Sequence, residues 1–168
     1  MLMIDIIVDS DADGDVAFEL PEGIDMAVKT ACAVAGFTTP EPELCIRFST
    51  DAEIRLLNRQ WRDKDSVTDV LSFPMQEPPV HLSESLGDIA MAVPFVRQEA
   101  ARLGLSIEAH TLHLIIHATL HLLGFDHIND DDAQRMQQLE RAAMRRIGLH
   151  DPYPDENMHQ IDVRQVEP

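Results

Sequence analysis

Apolar positions along this chain repeat with two periods, and the changes of period mark its elements. Leu2 to Val8 is an unbroken run rich in Ile and Val and predicts a buried strand. Ile24 to Ala35 carries Ala27, Val28, Ala31 and Val34 at helical spacing and stops at Gly36. Leu44 to Phe48 is a short strand. Ser49 or Thr50 can cap the next helix, with Glu53 completing a capping box and Ile54, Leu57 and Trp61 facing inward. A polar turn, Arg62-Asp63-Lys64-Asp65, leads to a strand over Val67 to Phe73 that Pro74 ends.

Residues Pro74 to Ser85 hold Pro78-Pro79 and no periodicity, which predicts a long loop, a flap beside a site. Leu86 to Val93 is a further strand, and Pro94 suits the first turn of a helix ending near Leu103. Ser106 caps a strongly apolar helix from Ile107 to Leu123, stopped by Gly124. The last amphipathic helix runs from about Asp130 to Ile147. Strands and helices mix without strict alternation. That predicts an α+β fold, a single domain over residues 1–150 with a mixed sheet. Residues 151–168 contain prolines and acidic groups but no apolar pattern, and read as a docked or disordered extension.

Length and composition narrow the class. The 168 residues suffice for one core, and 45% apolar with 26% charged residues is ordinary for a globular protein. No apolar run approaches the ~20 residues of a membrane span. The N-terminus lacks a basic region and a cleavage site, and Cys32 and Cys45 form no C-x-x-C pair. These features suggest free thiols and a cytoplasmic protein with no membrane partner. Thirteen basic against thirty acidic residues leave a net charge of -17. That field repels nucleic acid unless a local patch opposes it, and Arg47, Arg55, Arg59, Arg62 and Lys64 are the candidates. The acidic stretch Asp9 to Asp15 imitates an EF-hand loop, but its twelfth position is Leu20 where a bidentate Glu is required. A solvated loop is the better reading.

The chemistry concentrates on one helix. His113, His117 and His121 succeed one another at i, i+4 spacing, so two imidazoles can project from one face toward one metal ion. Gly124 lets the chain leave the helix at positive φ and fold His127 back toward His117 and His121. The result is His-x3-His-x5-His, three nitrogen donors with an open fourth position, the pattern of a catalytic zinc site. Leu112, Ile116, Leu120 and Leu123 form the core stripe, which puts His117 and His121 at its flank. His110 and His113 read as surface residues, with His113 also placed to support a ligand. Ala118 follows His117 where a zinc peptidase has its Glu, so peptide hydrolysis by that route is disfavoured. Asp126 is better placed to orient a histidine than to activate water.

The run His117-Ala118-Thr119-Leu120-His121-Leu122-Leu123-Gly124-Phe125-Asp126-His127 resembles the H-G-x-L-H-L-x-G-Y-D-H signature of the YbeY-like family of bacterial rRNA maturation factors. Asn58 to Phe73, with Trp61-Arg62-Asp63-Lys64 and Thr68-Asp69-Val70-Leu71-Ser72-Phe73, is similar to that family's second motif. Leu86-Gly87-Asp88-Ile89 is similar to its third, and Met136 with Glu140 fits its final helix. Three departures are Ala118 for Gly, Phe125 for Tyr, and Ser66-Val67 where Lys-Pro is frequent. The last removes one positive charge from the RNA-binding strip.

The resemblance implies a mixed β-sheet with helices packed on it and the metal-binding helix, 107–123, at its centre. It also implies a zinc-dependent endoribonuclease that prefers single strands and acts in rRNA maturation and ribosome quality control. Carried over residue by residue, one Zn2+ falls on His117, His121 and His127, the essential arginine on Arg62, and substrate contacts on Arg59, Lys64 and Ser72. The implied partners are ribosomal RNA, the small ribosomal subunit with one of its proteins, and an Era-type GTPase. Arg62 is planar and always charged, suited to clamp a scissile phosphate. No side chain is an obvious general base, so the sequence leaves open whether water or the RNA 2′-hydroxyl attacks. Two other classes stay open: a non-catalytic ribosome-assembly factor with a structural zinc, and a metal hydrolase of a different substrate.

Overall fold

Three kinds of local signal, caps, β-branched runs and glycine stops, turn this chain into alternating layers. The computed structural model describes residues 3–9, 11–12, 18–37 and 41–154. Its elements are β1 (Met3–Val8), α1 (Ile24–Val34), β2 (Glu43–Ser49), α2 (Asp51–Arg62), β3 (Val70–Pro74), β4 (Ser85–Ala92), α3 (Val93–Leu103), α4 (Ile107–Leu122) and α5 (Asp130–Arg146). The sheet order is β1-β2-β4-β3, with β1 and β4 parallel to β2 and β3 antiparallel to β4. The mixed α+β architecture read from the sequence is therefore the one observed.

The caps form as their side chains require. Thr50 Oγ1 accepts from the Glu53 amide at 3.0 Å and Ser106 Oγ from the Ala109 amide at 3.1 Å. Asn129 Oδ1 does the same for the Asp132 amide at 2.9 Å, starting α5. Each satisfies a helix N–H that has no intrahelical partner.

Helices pack on both sheet faces. Leu44, Ile46, Phe48, Ile89 and Met91 face α1, α4 and α5 in the main core. Leu71, Ala90 and Ala92 turn to the other side and meet Ile54 of α2. The two-residue pleat divides β3 in this way: Val70 joins the main core while Leu71 and Phe73 join the α2 side. Helix α4 is central, and Ile115, Ile116, Ala118, Leu120 and Leu122 are fully buried along it. Truncating a side chain such as Leu120 to alanine would cost about 2–5 kcal/mol.

Three expectations need correction. β1 is an edge strand, not a buried one, and Ile6, Ile7 and Val8 are exposed there among the described residues, because only β2 pairs with it. Trp61 does not face inward: it is 68% exposed. Helix α2 meets the sheet through Ile54 and Leu57, and in its last turn Arg62, not Trp61, reaches β3 at Ser72 and Phe73. His110 is not a surface residue but buried at 4% exposure, with Nε2 2.6 Å from Glu99 Oε1. Most of the EF-hand-like stretch (Ser10, and 13–15 within it) and residues 155–168 of the extension lie outside the described residues. Asp9 itself pairs with Arg47 at 2.9 Å and accepts from Ser49 Oγ.

The 75–84 connection behaves as a packed loop. Val80 and Leu82 are buried, and Gln76 ties its ends through His81 and Ser85. It reaches Gly124, where an added Cβ would stand 2.9 Å from Pro78 Cγ. Gly124 has φ 105, so the turn after α4 needs glycine for both conformation and space. No helix among the described residues is long and apolar enough to cross a membrane.

Candidate metal centre

Helix α4 and the turn beyond it bring three imidazoles together. Nitrogens of His117, His121 and His127 all lie within 4.8 Å of one another. His117 Nε2 and His121 Nε2 are 3.2 Å apart. A tetrahedron with metal–nitrogen bonds of ~2.0–2.1 Å has nitrogen–nitrogen edges of about 3.3 Å, so this pair already has ligand spacing. The three neutral donors and their geometry fit a first-row divalent cation. Among the three, His127 is exposed and His117 and His121 half-buried. The open side faces a cleft of about 420 Å³ whose wall includes Asp69, Glu99, His113, His117, His127, Glu140 and Tyr153.

One carboxylate orients the cluster from below. Glu140 of α5 is 1% exposed, and its Oε1 lies 2.7 Å from His113 Nε2 and 3.2 Å from His117 Nδ1. Burial opposes its ionisation, but hydrogen bonds from His113 and His117 outweigh that and hold it well below the usual carboxylate range. An ionised carboxylate only accepts, so both histidines donate. His117 with its proton on Nδ1 presents the Nε2 lone pair toward His121 and His127, the form a metal requires. Burial lowers the proton affinity of His117, while the bond to Glu140 and its charge raise it, with a net upward shift. His121 moves the other way, to about 4, through burial and then repulsion from His117 and His127. A hydrogen bond to the Phe125 backbone steadies that ring.

The cleft wall also carries a carboxyl pair. Asp69 and Glu99 hydrogen-bond each other, and Glu99 also receives His110. Asp69 is raised to about 6, first by burial and then by the charge of Glu99. Glu99 is lowered, chiefly by the His110 bond. Of the two carboxyls, Asp69 is therefore the one that takes up a proton first as pH falls.

Arg62 is placed elsewhere. It ends α2 on the sheet face away from α4, donates through Nη2 to the Ser72 carbonyl, and stacks its guanidinium 5.7 Å above the Phe73 ring. It is exposed and does not line the cleft; β3 stands between. Arg59 and Lys64 are exposed on the same helix end, whereas Ser72 is buried at 8%. Two of the other arginines in the basic patch are engaged: Arg47 with Asp9 and Glu53, Arg55 with Asp65 at 2.8 Å. The turn that follows is set by Asn58, whose Nδ2 donates to the Ser66 carbonyl at 3.0 Å.

Two expectations about supporting residues divide. His113 does support a ligand, through Glu140. Asp126 does not orient a histidine; its Oδ1 accepts from the Ile128 amide at 3.0 Å and shapes the turn instead. The role of Glu140 was not legible from the motif, although a signal exists: it interrupts the buried stripe Met136, Glu140, Ala143 and Met144 on α5. A carboxylate in an apolar stripe must find a buried donor.

Comparison with known proteins agrees with this architecture. A family model described as Endoribonuclease YbeY matches residues 7–148. A protein of Pseudomonas fluorescens named Endoribonuclease YbeY is 47% identical over 119 residues, 70% of this chain and 78% of its own. Its namesake in Azorhizobium caulinodans is 41% identical over 155 residues, 89% and 95% of the two chains. The solution structure of a Thermotoga maritima protein superposes with a TM-score of 0.52 at 24% identity, covering 86% of this chain and 91% of that one, and shows the same fold. With a match across 7–148 and relatives this similar over most of their length, the chain belongs to the endoribonuclease YbeY family.

Proposed function

We propose that this chain is a zinc-dependent endoribonuclease that prefers single-stranded RNA and acts in rRNA maturation and ribosome quality control in the cytoplasm. The observation that carries the metal part is the His117–His121 Nε2 spacing of 3.2 Å, with Glu140 holding the His117 proton on Nδ1. The RNA part is supported by relatives that bear the name endoribonuclease. Zinc bound by His117, His121 and His127 would supply Lewis acidity and an activated water at neutral pH. The protein's own residues would then position RNA. Arg62, preset over Phe73 with one nitrogen on the Ser72 carbonyl, has other N–H groups to offer a phosphate. Arg59 and Lys64 would extend that contact, and Ser72 would act through its backbone as an anchor for Arg62. Ribosomal RNA is the proposed substrate, with the small ribosomal subunit, one of its proteins and an Era-type GTPase as partners.

The test is cleavage of precursor ribosomal RNA by wild type and Arg62→Ala at matched zinc content. The expected result is cutting by wild type, weaker RNA binding and slower cutting by the variant, and one zinc in both. Equal cutting by both would remove Arg62 from the positioning of RNA. If neither cuts while zinc is bound, the chain is a non-catalytic assembly factor with a structural zinc; turnover without RNA would identify a different metal hydrolase.

A further inference from the structure

Beyond the histidines, the oxygen that orients His117 has a third partner from the far end of the chain. Tyr153 Oη lies 2.9 Å from Glu140 Oε1, the same atom that receives His113 and His117. The tyrosine ring stands edge-on to His113, centroids 5.8 Å apart and planes at 86°.

The segment bearing Tyr153 is gripped by the residue next to Glu140. Arg141 Nε donates to Asp151 Oδ1 at 3.1 Å and its Nη2 to the Tyr153 carbonyl at 2.6 Å. Asp151 Oδ1 also accepts from the Tyr153 amide at 2.8 Å. One turn of α5 therefore presents Glu140 inward to the cluster and Arg141 outward to the segment that returns over it. A chain leaving α5 with no role at the cluster would not need to place a hydroxyl on its buried carboxylate.

We propose that Tyr153 is a positioning residue of the metal centre: its hydroxyl fixes the Glu140 carboxylate that orients His117. This rests on the reading of His117, His121 and His127 as metal ligands. Glu140 is almost wholly shielded from water, so a lost donor is not readily replaced by solvent. With two donors in place of three, the carboxylate gains freedom to rotate, and the His117 ring follows it. Residues supporting a ligand in this way commonly carry 10–100-fold in metal affinity. The boundary that the sequence suggests at residue 150 thus falls inside the site rather than beside it.

The experiment uses the full chain and Tyr153→Phe, which removes one oxygen and keeps the ring. Zinc affinity is read by competition with a chromophoric chelator, and ligand geometry by the visible spectrum of the cobalt-substituted protein. The expected result is zinc binding weaker by about 10-fold and displaced cobalt bands, whatever small fall the lost hydrogen bond causes in the melting temperature of the metal-free protein. Arg141→Gln, which loosens the segment but keeps the hydroxyl, should weaken zinc in the same direction by a smaller factor. Wild-type affinity and spectrum in Tyr153→Phe would overturn the proposal, as would a lowered melting temperature with unchanged affinity, which marks packing alone. If the wild type itself holds no zinc, the metal reading falls and this role falls with it.

Discussion

His117 Nδ1 and Glu140 Oε1 stand 3.2 Å apart across the contact between α4 and α5, and that bond decides which nitrogen of His117 is free for a metal. The carboxylate is ionised, buried and acceptor-only, so the imidazole proton is pinned on Nδ1. Glu140→Gln keeps the shape but offers a neutral oxygen and an NH2 that cannot accept. Zinc affinity should fall about 10–100-fold, measured by chelator competition. An unchanged affinity would show that His117 keeps its tautomer without help.

The Asp69–Glu99 pair makes stability depend on pH. Asp69 binds its proton more tightly folded than unfolded, at about 6 against 3.8. Its contribution is therefore fully present below about pH 4 and lost as pH rises through 6. Glu99, shifted downward, acts in the opposite sense and blunts the effect. Asp69→Asn mimics the protonated form, since its oxygen can still accept from the Val70 amide, now 2.7 Å from Asp69 Oδ1. The variant should melt higher than wild type at pH 8 and no higher at pH 4. A gap of the same size at both would refute the upward shift of Asp69.

Gly87 should tolerate no side chain. It has φ 135, and an added Cβ would collide with the Phe73 carbonyl oxygen across the β3–β4 pair. Backbone strain alone is of order 1–3 kcal/mol, before the cost of moving β3. Gly87→Ala should lower the melting temperature by at least about 4 °C, read by differential scanning calorimetry. A change below that would mean the β3 edge yields freely.

Trp61, the single tryptophan, should emit as a solvent-exposed indole and be readily quenched by acrylamide, given its 68% exposure. Trp61→Ala should alter stability by no more than about 0.5 kcal/mol in denaturant titration. A blue-shifted, protected emission would restore the inward-facing reading.

The elements themselves were legible because their causes are local. Capping by Thr50 and Ser106, the stop at Gly124 and the i, i+4 spacing of His117 with His121 act within a few residues. The mixed sheet followed from the same runs. Strand order was not legible, because pairing joins residues far apart: β1 looked buried by composition, yet nothing in its own residues says that only one neighbour will pair with it. Trp61 failed for a related reason, since which side chain of the last turn of α2 meets β3 is settled by packing, and Arg62 takes that place.

At the site the division is sharper. By itself the sequence determined the histidine triad, since a helix turn and one glycine suffice to converge it. Only the tertiary structure decided what stands behind the triad. Glu140 lies 23 residues from His117 and Tyr153 lies 13 beyond Glu140, so their meeting depends on how α5 crosses α4 and how the chain returns. It likewise put Arg62 on the far face of β3, because α2 packs through Ile54 on the side of the sheet to which Leu71 and Phe73 point. Short-range geometry is written in spacing; the partners of a buried charge are chosen by packing.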